Sequence, residues 1–517
     1  MSMTNASRRL FLRHAGAMAA TVGTGAAPFA LNLAALGSAS AQTAADYKAI
    51  VCVFLFGGND SINMVLPTDA SSWAAYTATR NQAPDSIALL APGTAPVASA
   101  AAGSPSRLGG VLPITPANAQ GRTFALHPLM GTLQTMFNTD KRLAILPNTG
   151  PLIMPTSKAQ YAQSSFPKPA HLFSHNDQSN TWQTFKPEGA TTGWGGRMAD
   201  LMGAQNSKAV FTSISASGNS VWLAGQSIKQ YQVSTNGAIR IGSDASGRVY
   251  GSPDVAAALE RIVKGTRGTH VFEGDLAAIS NRALDAELAL RTALKAPSDP
   301  LFGTTPAGGS YNANTDPKLQ YDNPLTGAKS ANPLAQQLQV VARLIDAGMS
   351  GAIGVKRQVF FVSMGGFDTH DNENRNHADL MAKLAHALRY FDTTLGAMNA
   401  RNAVTTFTGS DFGRTFTSNG DGTDHGWGAH HFVMGGAVKG GDLYGNFPVL
   451  GLKNANNNNF DSSPNQLGNG SLLPENSVDQ LGATLGRWFG LSDTQLLDVF
   501  PNLKNFDVSR RDLGFMS

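Results

Sequence analysis

Ala49-Ile-Val-Cys-Val-Phe-Leu-Phe56-Gly57-Gly58-Asn59-Asp60-Ser61 decides the fold class. An apolar run without polar alternation fits a strand buried on both faces, the habit of a parallel sheet covered by helices. The run stops at a glycine pair, which allows a tight turn and is expected to leave Asp60 exposed at the strand tip. Similar runs recur at Leu143–Leu146, Val210–Ile214, Gln358–Ser363, Ala403–Thr408 and His431–Met434. Helical patterns lie between them: from Asp379 to Met398, Leu380, Leu384, Ala387, Leu388, Phe391 and Leu395 share one face. Strands alternating with helices specify an α/β fold with a mostly parallel central sheet.

The N-terminus carries a different signal. Ser7-Arg8-Arg9-Leu10-Phe11-Leu12-Arg13 precedes small and apolar residues from Ala15 to Leu36, and Ala39-Ser40-Ala41 supplies a small-x-small cleavage pattern. Paired arginines followed by Phe and Leu read as a twin-arginine signal peptide over residues 1–41, with export of the folded chain to the periplasm or cell surface through the twin-arginine translocase. Gly23, Gly25, Pro28 and Asn32 argue against a stable transmembrane anchor. The single cysteine, Cys52, lies inside the apolar strand and can form no internal disulfide, as suits a chain that folds in a reducing compartment. The formal charge is +4, and Arg8, Arg9 and Arg13 account for most of it, so nothing points to nucleic acid.

After the signal, the pattern predicts one large domain over residues 47–502 with a tail over 503–517. Three stretches read as additions: residues 82–120 as a surface excursion, residues 253–332 as a helical insertion ending in a Pro, Gly and Asn-rich loop, and residues 454–470 as an asparagine-rich loop.

Chemistry concentrates at the ends of expected strands, the edge where open α/β sheets place their sites. Asp60 follows the first strand, although Gly-Gly-Asn-Asp is also ordinary turn chemistry. Gly365-Gly366-Phe367-Asp368-Thr369-His370 follows the strand at 358–363, and its carboxylate and imidazole suit zinc, manganese or iron; capping of the next helix by Asp368 or Thr369 is the alternative. Ser410-Asp411-Phe412-Gly413-Arg414-Thr415 offers a metal-binding carboxylate and a guanidinium fork for phosphate, sulfate or carboxylate, or simply an Asp411–Arg414 ion pair that fixes the loop. Gly422-Thr423-Asp424-His425-Gly426 offers a further ligand pair, with the carboxylate orienting the imidazole. His425, His430 and His431 are three of the 11 histidines in the chain, and at least one of His430 and His431 is expected to be structural because His431 opens an apolar strand.

The blocks Val51–Pro67, Gly366–His370, Ser410–Thr415, Gly422–Gly428 and Gly435–Gly445, with Leu473-Pro474, Trp488-Phe-Gly490 and Phe500-Pro501, resemble the bacterial family called domain of unknown function 1501. That resemblance implies a three-layer α/β/α sandwich like the alkaline phosphatase and sulfatase superfamily, which binds one or two divalent metals beside a nucleophile. It implies metal ligation by Asp60, Asp368, His370, Asp411 and His425, to which the Asp424-His425 pair adds Asp424, the ion being zinc, manganese, calcium or iron. Phe412 stands where that superfamily has a histidine. The segment His171–Thr184 resembles the family's Ser-His block, so Ser174 is the candidate nucleophile, with His175 or Arg414 steadying charge; Ser-His-Asn-Asp is also an ordinary helix cap.

Two functions follow as expectations. One is a metal-dependent hydrolase of phosphate or sulfate esters acting on a small-molecule ester or an envelope component. The other is a non-catalytic envelope or surface-assembly protein that keeps the fold.

Overall fold

The computed structural model describes residues 47–238, 247–265, 271–305 and 309–517. The expected export signal over 1–41 lies outside the described residues. Among these, nine strands form the main sheet: β1 (Lys48–Leu55), β2 (Leu143–Gly150), β3 (Ser213–Ser215), β4 (Tyr231–Ser234), β5 (Gly237–Ala238), β6 (Arg357–Met364), β7 (Val404–Ser410), β8 (Ala429–Gly435) and β9 (Asn476–Ser477). Their order across the sheet is β9-β2-β8-β7-β1-β6-β3-β4-β5. β1 is central and parallel to both neighbours, with Val51 opposite Phe360 of β6 and Thr406 of β7. β8 runs antiparallel to β7 and β2, and β5 returns against β4 as a hairpin. The sheet is therefore mostly parallel and the fold α/β.

The helices include α1 (Ala70–Arg80), α2 (Gly131–Asn138), α3 (His175–Thr184), α4 (Trp194–Met202), α5 (Pro253–Lys264), α6 (Val271–Ala293), α7 (Pro333–Met349), α8 (Glu373–Ala397) and α9 (Val478–Phe489), of which α7 and α8 cover one face of the sheet and α4 and α9 the other. Side chains of β1 alternate between two apolar clusters. Val51, Val53 and Leu55 pack with Leu338 and Val341 of α7 and Leu384, Leu388 and Phe391 of α8. Ile50, Cys52 and Phe54 pack with Trp194 and Met198 of α4 and Leu481 and Leu485 of α9. Both faces are apolar because both are covered, which is why the sequence shows no alternation. Each large side chain so buried stabilises the fold by about 1.5–3 kcal/mol. Among the described residues, no helix is long and apolar enough to cross a membrane.

Local starts and stops follow from the sequence. Pro333 opens α7, and the Asn332 side chain accepts from the N–H groups of Leu334 and Ala335 at 3.1 and 3.4 Å. α8 is capped from outside: Asn372 and Glu373 donate their N–H groups to the Asp421 side chain and carbonyl at 2.8 and 3.0 Å. Thus neither Asp368 nor Thr369 caps this helix.

Several expectations change in the structure. The run at Val210–Ile214 yields a short 3₁₀ turn, and the strand itself is only Ser213–Ser215. The stretch 82–120 contributes Leu112–Ile114 to a small three-stranded sheet with Val65–Pro67 and Phe124–Leu126. The insertion holds α5 and α6, and its loop contains the hairpin Gln320–Asp322 with Lys329–Ala331. Residues 503–517 are packed rather than trailing: Phe515 is fully buried in the second cluster, where it has apolar surface to cover. Asp60 is also fully buried instead of exposed, because the equally buried Arg80 closes on its carboxylate.

The turn after β1 fixes how closely the neighbouring loops approach. Gly57 sits at φ +112°, and a Cβ there would lie 2.5 Å from the Asp368 nitrogen; one on Gly58, at φ +82°, would strike the Phe412 ring. The loops after β6 and β7 therefore rest directly on this turn. Gly57→Ala is expected to destabilise the protein by roughly 2–4 kcal/mol, combining positive-φ strain with a backbone clash. Gly93→Ala, at the same φ as Gly58 but with nothing within 4 Å, serves as the control. Urea denaturation compares them, and equal midpoints for the two variants would remove the close-approach explanation.

Candidate metal centre

Asp60 and Asp368 both follow central strands, yet they have separate surroundings. Asp60 receives the Arg80 guanidinium, Nη1 at 2.5 Å from Oδ2 and Nη2 at 3.0 Å from Oδ1. Arg80 is itself anchored on the carbonyls of Phe416 and Thr415 at 3.1 and 3.0 Å. Burial would raise the Asp60 pKa, but the Arg80 charge outweighs it and holds the carboxyl well below its usual range. Both oxygens are thus engaged in an internal ion pair, which corrects the expectation that Asp60 is exposed at the strand tip and sets it apart from the cluster at Asp368.

Asp368 instead meets imidazoles. Its Oδ1 lies 3.1 Å from His370 Nε2, 3.4 Å from His425 Nε2 and 2.5 Å from Arg414 Nη1, and its Oδ2 lies 3.3 Å from His175 Nε2. The Nε2 atoms of His370 and His425 are 3.0 Å apart. Tetrahedral ligands at zinc distances would stand about 3.3 Å from one another, so this spacing suits a shared cation.

The far side of each ring explains the convergence. His425 Nδ1 donates to the Phe173 carbonyl at 2.7 Å, and His175 Nδ1 donates to Asp411 Oδ2 at 3.0 Å. His370 Nδ1 lies 3.4 Å from Asp424 Oδ1. An imidazole whose Nδ1 proton is held by an oxygen carries its lone pair on Nε2, so the rings of His425 and His175 direct lone pairs toward the Asp368 carboxylate, with His370 Nε2 beside them. Phe173 reaches its partner from φ 72°, a conformation uncommon outside glycine. His175 Nε2 and Asp411 Oδ1 are buried atoms without a hydrogen-bond partner. Lone pairs facing one another need a proton or a cation between them, and the donor set fits a cation.

The sequence candidates divide accordingly. Asp368, His370, His425 and His175 come together; Asp411 and Asp424 stand behind two of the rings. His175, expected to steady charge, faces the same point as Asp368 and His425. Phe412 packs against both His175 and His425, ring centroids 4.8 Å away in each case, and so forms an apolar floor where a fourth imidazole would stand. Arg414 is fully buried and pairs with Asp368 rather than Asp411, so it cannot reach out to steady an ester; its charge falls on the Asp368 carboxylate. Ser174 precedes α3 without capping it, and its hydroxyl donates to Asp177 Oδ2 at 2.9 Å. Its two chain neighbours both contact the cluster. His430 and His431 are both buried away from this cluster, His430 accepting from the Asn148 N–H at 3.0 Å. The Phe173 carbonyl and Arg80 were not foreseen: a main-chain oxygen has no sequence signature, and Arg80 is one arginine among many until the fold brings it to Asp60.

A family model described as Protein of unknown function (DUF1501) matches residues 314–500. That stretch carries Asp368, His370, Asp411, Arg414, Asp424 and His425. Ser174, His175 and Asp60 lie outside it. No curated protein matches the chain. Two solved structures are similar over 89% of this chain and 77% of their own: "Crystal structure of Ps i-CgsB", at 8% identity and a TM-score of 0.33, and "Crystal structure of Ps i-CgsB in complex with k-i-k-neocarrahexaose", at 9% and 0.31. Likeness at that level carries no argument about this chain.

The electrostatics give a pH test. The hydrogen bond to Asp411, then the charges of Asp368 and Asp411, raise the His175 pKa above its ordinary value despite burial. In metal-free protein the His175 imidazolium therefore contributes stability fully present below about pH 6.5, lost as pH rises through the raised value. NMR titration of metal-free protein is expected to place the His175 midpoint above that of a free imidazole, and Asp411→Asn to bring it down. A midpoint unmoved by Asp411→Asn would refute the assignment of the Nδ1 proton.

Proposed function

We propose that this chain is a metal-dependent hydrolase of phosphate or sulfate esters, exported folded through the twin-arginine route to the periplasm or cell surface. The observation that carries the reading is the convergence of three imidazole Nε2 atoms on the Asp368 carboxylate, each ring backed by an oxygen. Asp368, His175 and His425, whose ligand atoms all lie within 4.8 Å of one another, would hold the ion, with His370 beside His425; Asp411, Asp424 and the Phe173 carbonyl would fix the ring orientations. Imidazole nitrogens with one carboxylate suit zinc, iron or manganese and not the all-oxygen shell of calcium. A bound ion would supply Lewis-acid stabilisation of negative charge on the ester oxygens. Ser174 lies between two residues of the cluster, and Asp177 is in position to accept its proton, which supports it as the nucleophile. The three-layer, alkaline phosphatase-like reading of the fold is supported by the apolar clusters on both faces of the sheet.

The second reading, a non-catalytic envelope protein, draws on one contact. Arg414 Nη1 at 2.5 Å from Asp368 Oδ1 balances that carboxylate without a metal ion. Elemental analysis of full-length protein purified without chelator distinguishes the two. The hydrolase reading expects bound metal, its loss in Asp368→Ala and His425→Ala, and an affinity lower by about 10–100-fold in Asp411→Asn. It also expects turnover of a phosphate or sulfate ester that Ser174→Ala abolishes. Protein free of metal, with thermal stability unchanged when Asp368 and His425 are both replaced by alanine, would leave the envelope reading standing.

A further inference from the structure

We propose that Thr423, with the buried Glu373 behind it, is a positioning residue that sets the Asp368 carboxylate by way of Arg414; the inference rests on the proposed function only for what that carboxylate then binds. Arg414 directs Nη1 to Asp368 Oδ1 at 2.5 Å and to the Gly57 carbonyl at 3.3 Å, and Nη2 to the Thr423 carbonyl. Its Nε donates to Thr423 Oγ1 at 3.2 Å. The Thr423 hydroxyl has one proton, which it gives to Glu373 Oε2 at 2.8 Å, so its lone pair is left for Arg414. Thr423 and Glu373 are both fully buried, and nothing in water can replace either bond.

The direction of this chain follows from its partners: a guanidinium only donates, so the Thr423 oxygen accepts from Arg414 and its proton goes to Glu373 Oε2. Burial, then the charge of Asp60, raises the Glu373 pKa well above the ordinary value. Asn63 Nδ2 donates to its other oxygen at 3.4 Å. Glu373 lies beside Arg80, whose Nη1 is 3.9 Å from Glu373 Oε1, and the Arg414 guanidinium pairs with Asp368. Other bonds to Arg414 go to main-chain carbonyls, which the fold fixes. The Thr423 hydroxyl is the side-chain hold on the inner end of the guanidinium, and Asp368 Oδ1 is the atom shared by Arg414, His370 and His425. Where Arg414 sits therefore decides which way that oxygen points.

The test uses full-length protein and cobalt(II) as probe. Thr423→Val keeps the shape and removes the hydroxyl; it is expected to weaken cobalt affinity about tenfold and to shift the visible ligand-field bands, while Thr423→Ser restores both. A second measurement needs no metal: a double-mutant cycle of Thr423→Val with Asp368→Asn, read by denaturation of metal-free protein. The two changes are expected to be non-additive by about three-fold or more in the unfolding constant, although the side chains do not touch. Additive effects, or a cobalt spectrum unchanged in Thr423→Val, would overturn the proposal. Failure of the unsubstituted protein to bind cobalt would count against the metal centre, and the cycle alone would then decide the role of Thr423.

Discussion

The close approach at Gly57 is the constraint on which the site depends. The turn after β1 has no room for a Cβ, so the loop after β6 lies against it and brings Asp368 to the central strand's tip. The Gly57 N–H also donates to Asp411 Oδ2 at 3.0 Å, which ties down the loop after β7. Parallel pairing puts those three strand ends at one edge, and the glycine turn lets their loops meet rather than merely neighbour one another. His175 then reaches Asp411 from α3, and His425 reaches the Phe173 carbonyl from the two-stranded hairpin Arg414–Ser418 with Thr423–His425 that follows β7.

Two aspartates at adjacent strand ends meet opposite electrostatic fates. Asp60 is buried and would be costly as an isolated charge; the Arg80 guanidinium satisfies both of its oxygens and makes it part of the framework. Asp368 remains partly exposed, and its single arginine covers one oxygen from beneath while imidazoles approach from the side. The difference is not residue type or position along the strand. It is whether a guanidinium closes around the carboxylate or leaves it shared.

Much of the frame was legible before the fold was known. The unbroken apolar run over residues 49–56 is explained by two covered faces, and the strands at 358–363, 403–408 and 431–434 appear with small changes of boundary. The run at 210–214 was harder, because a short apolar stretch does not separate a strand from a 3₁₀ turn. Asp368, His370 and His425 were legible as an acid and imidazoles at strand ends from residue type and position, which is where the structure brings them together. His175 was assigned to charge stabilisation, because its lone pair direction depends on Asp411, 236 positions away in the chain.

By itself the sequence determined the sheet's buried centre, the strand ends that carry acids and imidazoles, and the glycine turn that allows those ends to close, since apolar patterning and backbone freedom are local properties. Only the tertiary structure decided that Asp60 belongs to Arg80, that Arg414 serves Asp368, and that three rings turn their Nε2 atoms inward. Those outcomes depend on hydrogen-bond partners from distant segments, and a charge or a tautomer is set by what surrounds it, not by its neighbours in the chain.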